Sequence, residues 1–143
     1  MTARLRPSRH KAFLATGFVY FAGIFSLAFA LGALRALVVA PRLGASVAVF
    51  LEIPVLLIAS WLFARHLVRH QSLTLIDGAA IGAIAFALTM ISEAVLAQVM
   101  RGQSLAEWGR ELATPLGLVG LGGQLGFAVM PSVARENRSE SST

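Results

Sequence analysis

Arg35, Glu52 and Glu93 stand inside stretches of sequence that otherwise carry almost no charge. An ion in an apolar helix that crosses a membrane costs about 2.5–3.5 kcal/mol at the helix centre, so it requires a partner or a purpose. One arginine set against two carboxylates can form an intramembrane ion pair and leaves one carboxylate over. That surplus group is chemically interesting, because it can take up a proton or hold a cation. Gln124, in a fourth apolar stretch, can complete such a network with its amide.

The other chemistry-bearing residues offer less. His66 and His70 share a helical face at i, i+4, a geometry able to hold the edge of a metal or haem. Only His10, far away in the chain, could supply a third ligand, so the pair reads first as a titrating interfacial group, and no metal or other cofactor is expected. The chain has no cysteine, which removes disulfides, thiolate metal sites and a cysteine nucleophile. It shows no serine–histidine–acid order and no Gly-rich phosphate loop, and its short loops are poor material for a catalytic pocket, so enzyme activity is not expected.

The elements that carry these residues are four apolar runs. Phe13–Leu34 has 22 residues without a charge, and apolar sequence resumes after Arg35 as far as Ala40. Leu43–Ala64 contains only Glu52, and Leu73–Met100 contains only Asp77 and Glu93. Leu112–Ala134 has 23 residues and no charge. Each satisfies the requirement of about 20 residues for a membrane-crossing helix. With 13% charged residues and a mean hydropathy of +0.75, the expected class is an all-α membrane protein. The expected fold is an antiparallel bundle of four transmembrane helices.

The spans are expected at about 12–40, 45–66, 74–100 and 114–131, flanked by a basic tail at 1–11 and a disordered tail at 132–143. Pro41 is expected to stop the first helix, and the short turn after it makes the first two helices antiparallel neighbours. Pro54 should kink the second or remove one of its hydrogen bonds. Thr74 to Asp77 and Ser104 to Glu107 both fit a capping box. Asp77 is thereby explained as a helix cap, and Leu105–Leu112 as a short helix lying at the membrane surface. Thr114 and Pro115 then restart the chain as N-cap and first residue of the fourth helix. Trp61 and Trp108 are expected as interfacial anchors.

A net charge of +5 does not point to nucleic acid, because the cations lie in short segments between apolar runs. Arg4, Arg6, Arg9, Lys11, Arg65, Arg69, Arg135 and Arg138 fall on one side of the expected membrane, and Arg42, Arg101 and Arg110 on the other. That bias places both termini in the cytoplasm. The Arg-, Ala-, Gly- and Leu-rich composition looks like that of a high-GC bacterial gene, so a bacterial inner membrane is expected. Ala28-Phe29-Ala30 after the basic tail also resembles a signal-peptide cleavage site, but the apolar run continues to Ala40, and a retained helix is the better reading.

Counting along the helices brings the polar residues together. At 1.5 Å per residue, Arg35 lies about 8 Å in from Ala40, and Glu52 about 12 Å in from Gly44. Glu93 lies about 10 Å in from Met100, and Gln124 about 15 Å in from Thr114. All four therefore reach a similar depth in the outer half. Helical phase sets Gly82, Thr89 and Glu93 on one line, and Gly117, Gly120, Gln124 and Ala128 on another. Gly78 with Gly82, and Gly122 with Gly126, form GxxxG pairs fit for helix packing or an oligomer face, the second turned about 160° from Gln124.

These features support two function classes. The first is a structural or accessory subunit that docks onto a larger membrane complex through its intramembrane polar network. The second is a small oligomeric transporter, or a proton- or ion-translocating unit, working through Glu52 and Glu93. The expected partners are the lipid bilayer and other membrane proteins or further copies of the chain. Four helices are few for a transporter acting alone, which favours the first class.

Overall fold

The structure, a computed structural model, describes residues 9–69 and 73–136. Its described residues are helical apart from short connections, and four helices are long and apolar enough to cross a membrane. The first span is built from α1 (Arg9–Leu34), a π-helical turn (Arg35–Val39) and α2 (Ala40–Leu43). Then come α3 (Ala45–Val68), α4 (Leu75–Arg101), the short α5 (Leu105–Leu112) and α6 (Pro115–Glu136). The long helices alternate in direction. α6 lies between α3 and α4, and α1 touches both α3 and α4. Around the bundle the spans therefore run first, second, fourth, third.

The outer faces agree with an apolar surrounding. Phe18, Leu37, Phe50, Ile58, Ile91, Val99 and Leu118 are all exposed, spread over the four spans. In water so much uncovered apolar surface would drive association, whereas lipid accepts it.

Pro41 does not end the first span. It lies inside α2, and the chain turns only at Gly44, whose φ of +85° is left-handed and suits glycine. The π turn explains the passage. A proline in an α-helix clashes with the carbonyl four residues earlier. Here the turn before Pro41 is widened, with the Ala40 N–H bonded to the Arg35 carbonyl, which relieves that crowding. Of the basic tail expected at 1–11, residues 9–11 already belong to α1, and residues 1–8 lie outside the described residues.

α3 runs unbroken through Pro54. α4 begins with the expected capping box: the Thr74 hydroxyl accepts from the Asp77 N–H at 3.2 Å, and Asp77 Oδ2 accepts from the Thr74 N–H at 2.8 Å. α5 repeats the device with Ser104 and Glu107. The Ser104 backbone and hydroxyl groups that donate to the Glu107 carboxylate hold its pKa below the usual carboxylate value. Thr114 caps α6 by accepting from the Gly117 N–H at 3.1 Å.

α6 also passes a proline. The helix continues through Pro131 to Glu136, so residues 132–136 of the tail expected at 132–143 are helical, and the rest of that tail lies outside the described residues. Pro131 has no N–H for the Phe127 carbonyl, which would be left unsatisfied in a dry interior. Tyr20 of α1 supplies the missing donor: its hydroxyl reaches the Phe127 carbonyl at 2.8 Å, in a fully buried position. Its ring lies between Phe63 and Phe127, with centroid distances of 6.2 Å and 5.9 Å. Tyr20, Ile24, Ala64, Val68, Ile81, Ala85, Phe127 and Ala134 form the core, which fills the half of the bundle nearer the termini.

Small residues let α4 and α6 meet closely in that half. A Cβ on Gly82 would overlap the Ala128 carbonyl, and one on Gly78 would fall 2.9 Å from the Ser132 Cα. Backbone rather than flexible side chain lies opposite, so neither glycine has room for a side chain.

Candidate functional site: a polar chamber at the loop end

The other half, nearer Gly44 and α5, is not filled. Between the spans there is a partly open chamber of about 550 Å³. Ile24, Thr89 and Phe127 line it where it meets the core, and Trp108, Glu111 and Leu112 line it on the side of α5 and its exit. Gly32 and Gly120 line its wall with open space where their Cβ atoms would be. That volume falls in the range of small-molecule sites, about 300–1,000 Å³.

Arg35, Glu52, Glu93 and Gln124 all line this one chamber. Helical phase brings them there. Each follows the small or buried residues of its own helix: Gly17 and Ile24 on α1, Ala48 on α3, Gly82 and Thr89 on α4, Gly117 and Gly120 on α6. The residues do not form a single network, however. They fall into two pairs, each joining neighbouring spans.

In the first pair, Arg35 Nε stands 2.6 Å from Glu52 Oε2. The Nε–H is not directed at that oxygen, so the contact is an ion pair rather than a directed hydrogen bond. In the second pair, Gln124 Nε2 donates to Glu93 Oε1 at 2.5 Å. Depth alone leaves Arg35 a choice of carboxylates, and the order of the spans settles it. The first span adjoins the second at this level, and the third adjoins the fourth.

Two features of the second pair matter for chemistry. Glu93 has no cation within ion-pair distance among the described residues. Beside it, Gln124 Oε1 is buried and accepts no hydrogen bond among the described residues. A carboxylate without a cation and an amide oxygen without a donor thus line the same chamber.

At the rim, Glu111 accepts from Arg101 Nη1 at 3.0 Å and from Gln103 Nε2 at 3.1 Å. Both side chains of the Arg101–Glu111 pair are half exposed, so the pair shapes the loop more than it stabilises it. Trp108 is half-buried and faces the chamber, a contact that its reading as an interfacial anchor does not include. Trp61 lies in the opposite half, with the Arg65 guanidinium 5.4 Å from its ring centre.

Gly78 and Gly82 pack α4 against α6. Gly126 meets Leu57 of α3, whereas Gly122 is exposed with nothing near its Cβ position, so that GxxxG pair is half covered by the chain's own second span. His66 is exposed, and His70 lies outside the described residues. No cluster of three or more metal-ligating side chains exists among the described residues. Tyr20 and Pro131 escaped the sequence reading; a proline four residues after Phe127 was the available signal, since it announces a carbonyl in need of a donor.

Comparison with known proteins yields no family: no family model, no curated protein and no solved structure matches this chain.

Proposed function

We propose that this chain is a small multi-pass transport protein of a bacterial inner membrane that binds its cargo in the chamber, with Glu93 as the binding group. In this reading both termini lie in the cytoplasm and the chamber opens to the outer side, as the distribution of Arg and Lys favours. The observation that carries the proposal is the placement of the polar groups. Arg35, Glu52, Glu93 and Gln124 all line one partly open cavity between the spans, with Arg35, 37% exposed, at its edge. A network that served docking would be expected on an outer face. Polar groups around an intramembrane cavity are the usual mark of a solute or ion site.

The test is flux in reconstituted vesicles. Wild-type protein should dissipate an imposed proton or cation gradient faster than protein-free vesicles. Glu93→Gln should remove that activity while the protein still reconstitutes as a folded helical species. Flux that persists undiminished in both Glu93→Gln and Glu52→Gln would rule the reading out.

A second reading, the accessory subunit of a larger membrane complex, is favoured by one observation. Gly122 is an exposed glycine on α6 with no atom near its Cβ position, and a foreign helix could approach closely there. Extraction in mild detergent tests it: a subunit brings its complex along. A monomer recovered without other proteins counts against docking and leaves transport.

A further inference from the structure

We propose that the chamber selects an amphiphilic primary or secondary ammonium ion, its N–H groups donating to Glu93 and Gln124 and its apolar body lying against the aromatic wall. This inference rests on the chamber being the cargo site and adds the chemical class of the cargo.

Charge provides the first argument. The groups lining the chamber are two arginines and three carboxylates, and the carboxylate left over is Glu93. A cationic guest would neutralise the site. An anionic guest would face Glu52, Glu93 and Glu111 with the guanidiniums already engaged.

Hydrogen bonding is the second argument, and it is the more selective. Gln124 has committed its amide N–H to Glu93 Oε1, so its own oxygen needs a donor and has none among the described residues. A buried acceptor without a donor costs about 1–3 kcal/mol, a cost that a guest with N–H groups removes. An ammonium carries up to three donors and no acceptor. It can therefore serve the Glu93 carboxylate and Gln124 Oε1 together. A quaternary ammonium has the charge but no N–H, and an alcohol has a single O–H and no charge.

Size and lining are the third argument. A bare metal ion would use a small part of 550 Å³, and no cluster of three metal-ligating side chains stands among the described residues. Phe25, Phe29 and Phe127 line the chamber together with Trp108, a wall that suits an alkyl or aryl body and can also receive a cation on its ring faces.

Trp108 makes the site observable. With Trp61→Phe as background, Trp108 is the single tryptophan, because the chain has two. Purified protein in lipid nanodiscs is titrated at neutral pH with 2-phenylethylamine, its N-trimethyl analogue, 2-phenylethanol, 3-phenylpropionate and sodium, with empty nanodiscs as the reference for partitioning. The expected result is a saturable change in Trp108 emission with the amine. Affinity should be at least tenfold weaker for the quaternary analogue and for the alcohol. Glu93→Gln should weaken amine binding at least tenfold, and Gln124→Leu should narrow the preference for the primary over the quaternary ion.

Gly120→Phe provides a variant that keeps every charge and places a ring into the open space beside Gly120. It should also abolish binding, and it decides the matter if Glu93→Gln does not fold. Equal affinity for alcohol, carboxylate or sodium would overturn the ammonium assignment, as would amine binding unchanged by Gly120→Phe. Vesicle flux that depends on Glu93 while no amine binds would overturn this inference and leave the transport reading standing. Saturable amine binding without any flux would do the reverse.

Discussion

Arg35 holds Glu52 at the edge of a cavity, and what each residue contributes follows from that position. The arginine side chain is 37% exposed and the glutamate 15%, so the pair is neither dry nor fully solvated. Removing one partner from a buried pair costs about 3–5 kcal/mol, and from an exposed pair about 0–1. An intermediate cost of about 1–3 kcal/mol is expected for Arg35→Leu, read as a lowered thermal midpoint in detergent. Glu52→Arg alone should be worse, since two cations would then meet. The double reversal, Arg35→Glu with Glu52→Arg, should recover most of the loss. If it recovers none, the 2.6 Å approach does not act as an ion pair. The depth of these residues was legible in the sequence, because a rise of 1.5 Å per residue fixes how far each lies from its helix end. Their partners were not. Pairing depends on which spans are neighbours, and helical phase within one span contains no information about that.

At the scale of elements, three prolines sit in long helices and each is accommodated differently. Pro41 is preceded by a π turn, Pro54 is exposed in an unbroken α3, and Pro131 leaves a carbonyl that another helix satisfies. The third case couples α1 to α6 through one hydrogen bond. Tyr20→Phe keeps the ring between Phe63 and Phe127 and deletes only the donor, so it should cost about 1–2 kcal/mol. In a Pro131→Ala background the helix regains its own N–H, and the Phe127 carbonyl no longer depends on Tyr20. Tyr20→Phe should then cost much less, a coupling that a double-mutant cycle on thermal or denaturant unfolding measures. Equal costs in both backgrounds would mean that the hydroxyl bond is incidental. Sequence rules end helices near prolines because they count only intrahelical hydrogen bonds. That is why the first span was expected to stop at Pro41, whereas the fourth was expected to end where the polar, Ser-rich sequence begins. A donor 107 residues away lies outside any such rule. The capping boxes at Thr74 and Ser104 are local, and these were legible.

For the whole molecule, the bundle divides into two unlike halves. Near the termini, Tyr20, Ser60, Ala64, Ile81 and Ala85 are almost completely buried and α4 meets α6 at backbone contact. Near Gly44 and α5 the same four spans stand apart around the chamber. The difference follows from residue size and polarity. Gly78 and Gly82 let two helices close, whereas Arg35, Glu52, Glu93 and Gln124 are long, polar and paired across adjacent spans. The position of the chamber in the half near Gly44 and α5 has a direct consequence for access. Because the chain has no cysteine, a single introduced thiol reports its own surroundings. Gly32→Cys points into open space on the chamber wall and should react with a membrane-impermeant thiol reagent from the loop side. Ser60→Cys, nearly isosteric at a fully buried position, should remain unmodified from either side. Applying the reagent to sealed cells and then to inverted vesicles also gives the orientation: the loop side should be the outer one. Reaction of Ser60→Cys from the terminal side, and only when cargo is present, would reveal that the closed half opens in turn. Protection of Gly32→Cys by the same cargo would place both events in one cycle, and the Tyr20 bond to Phe127 would then be the contact that must break.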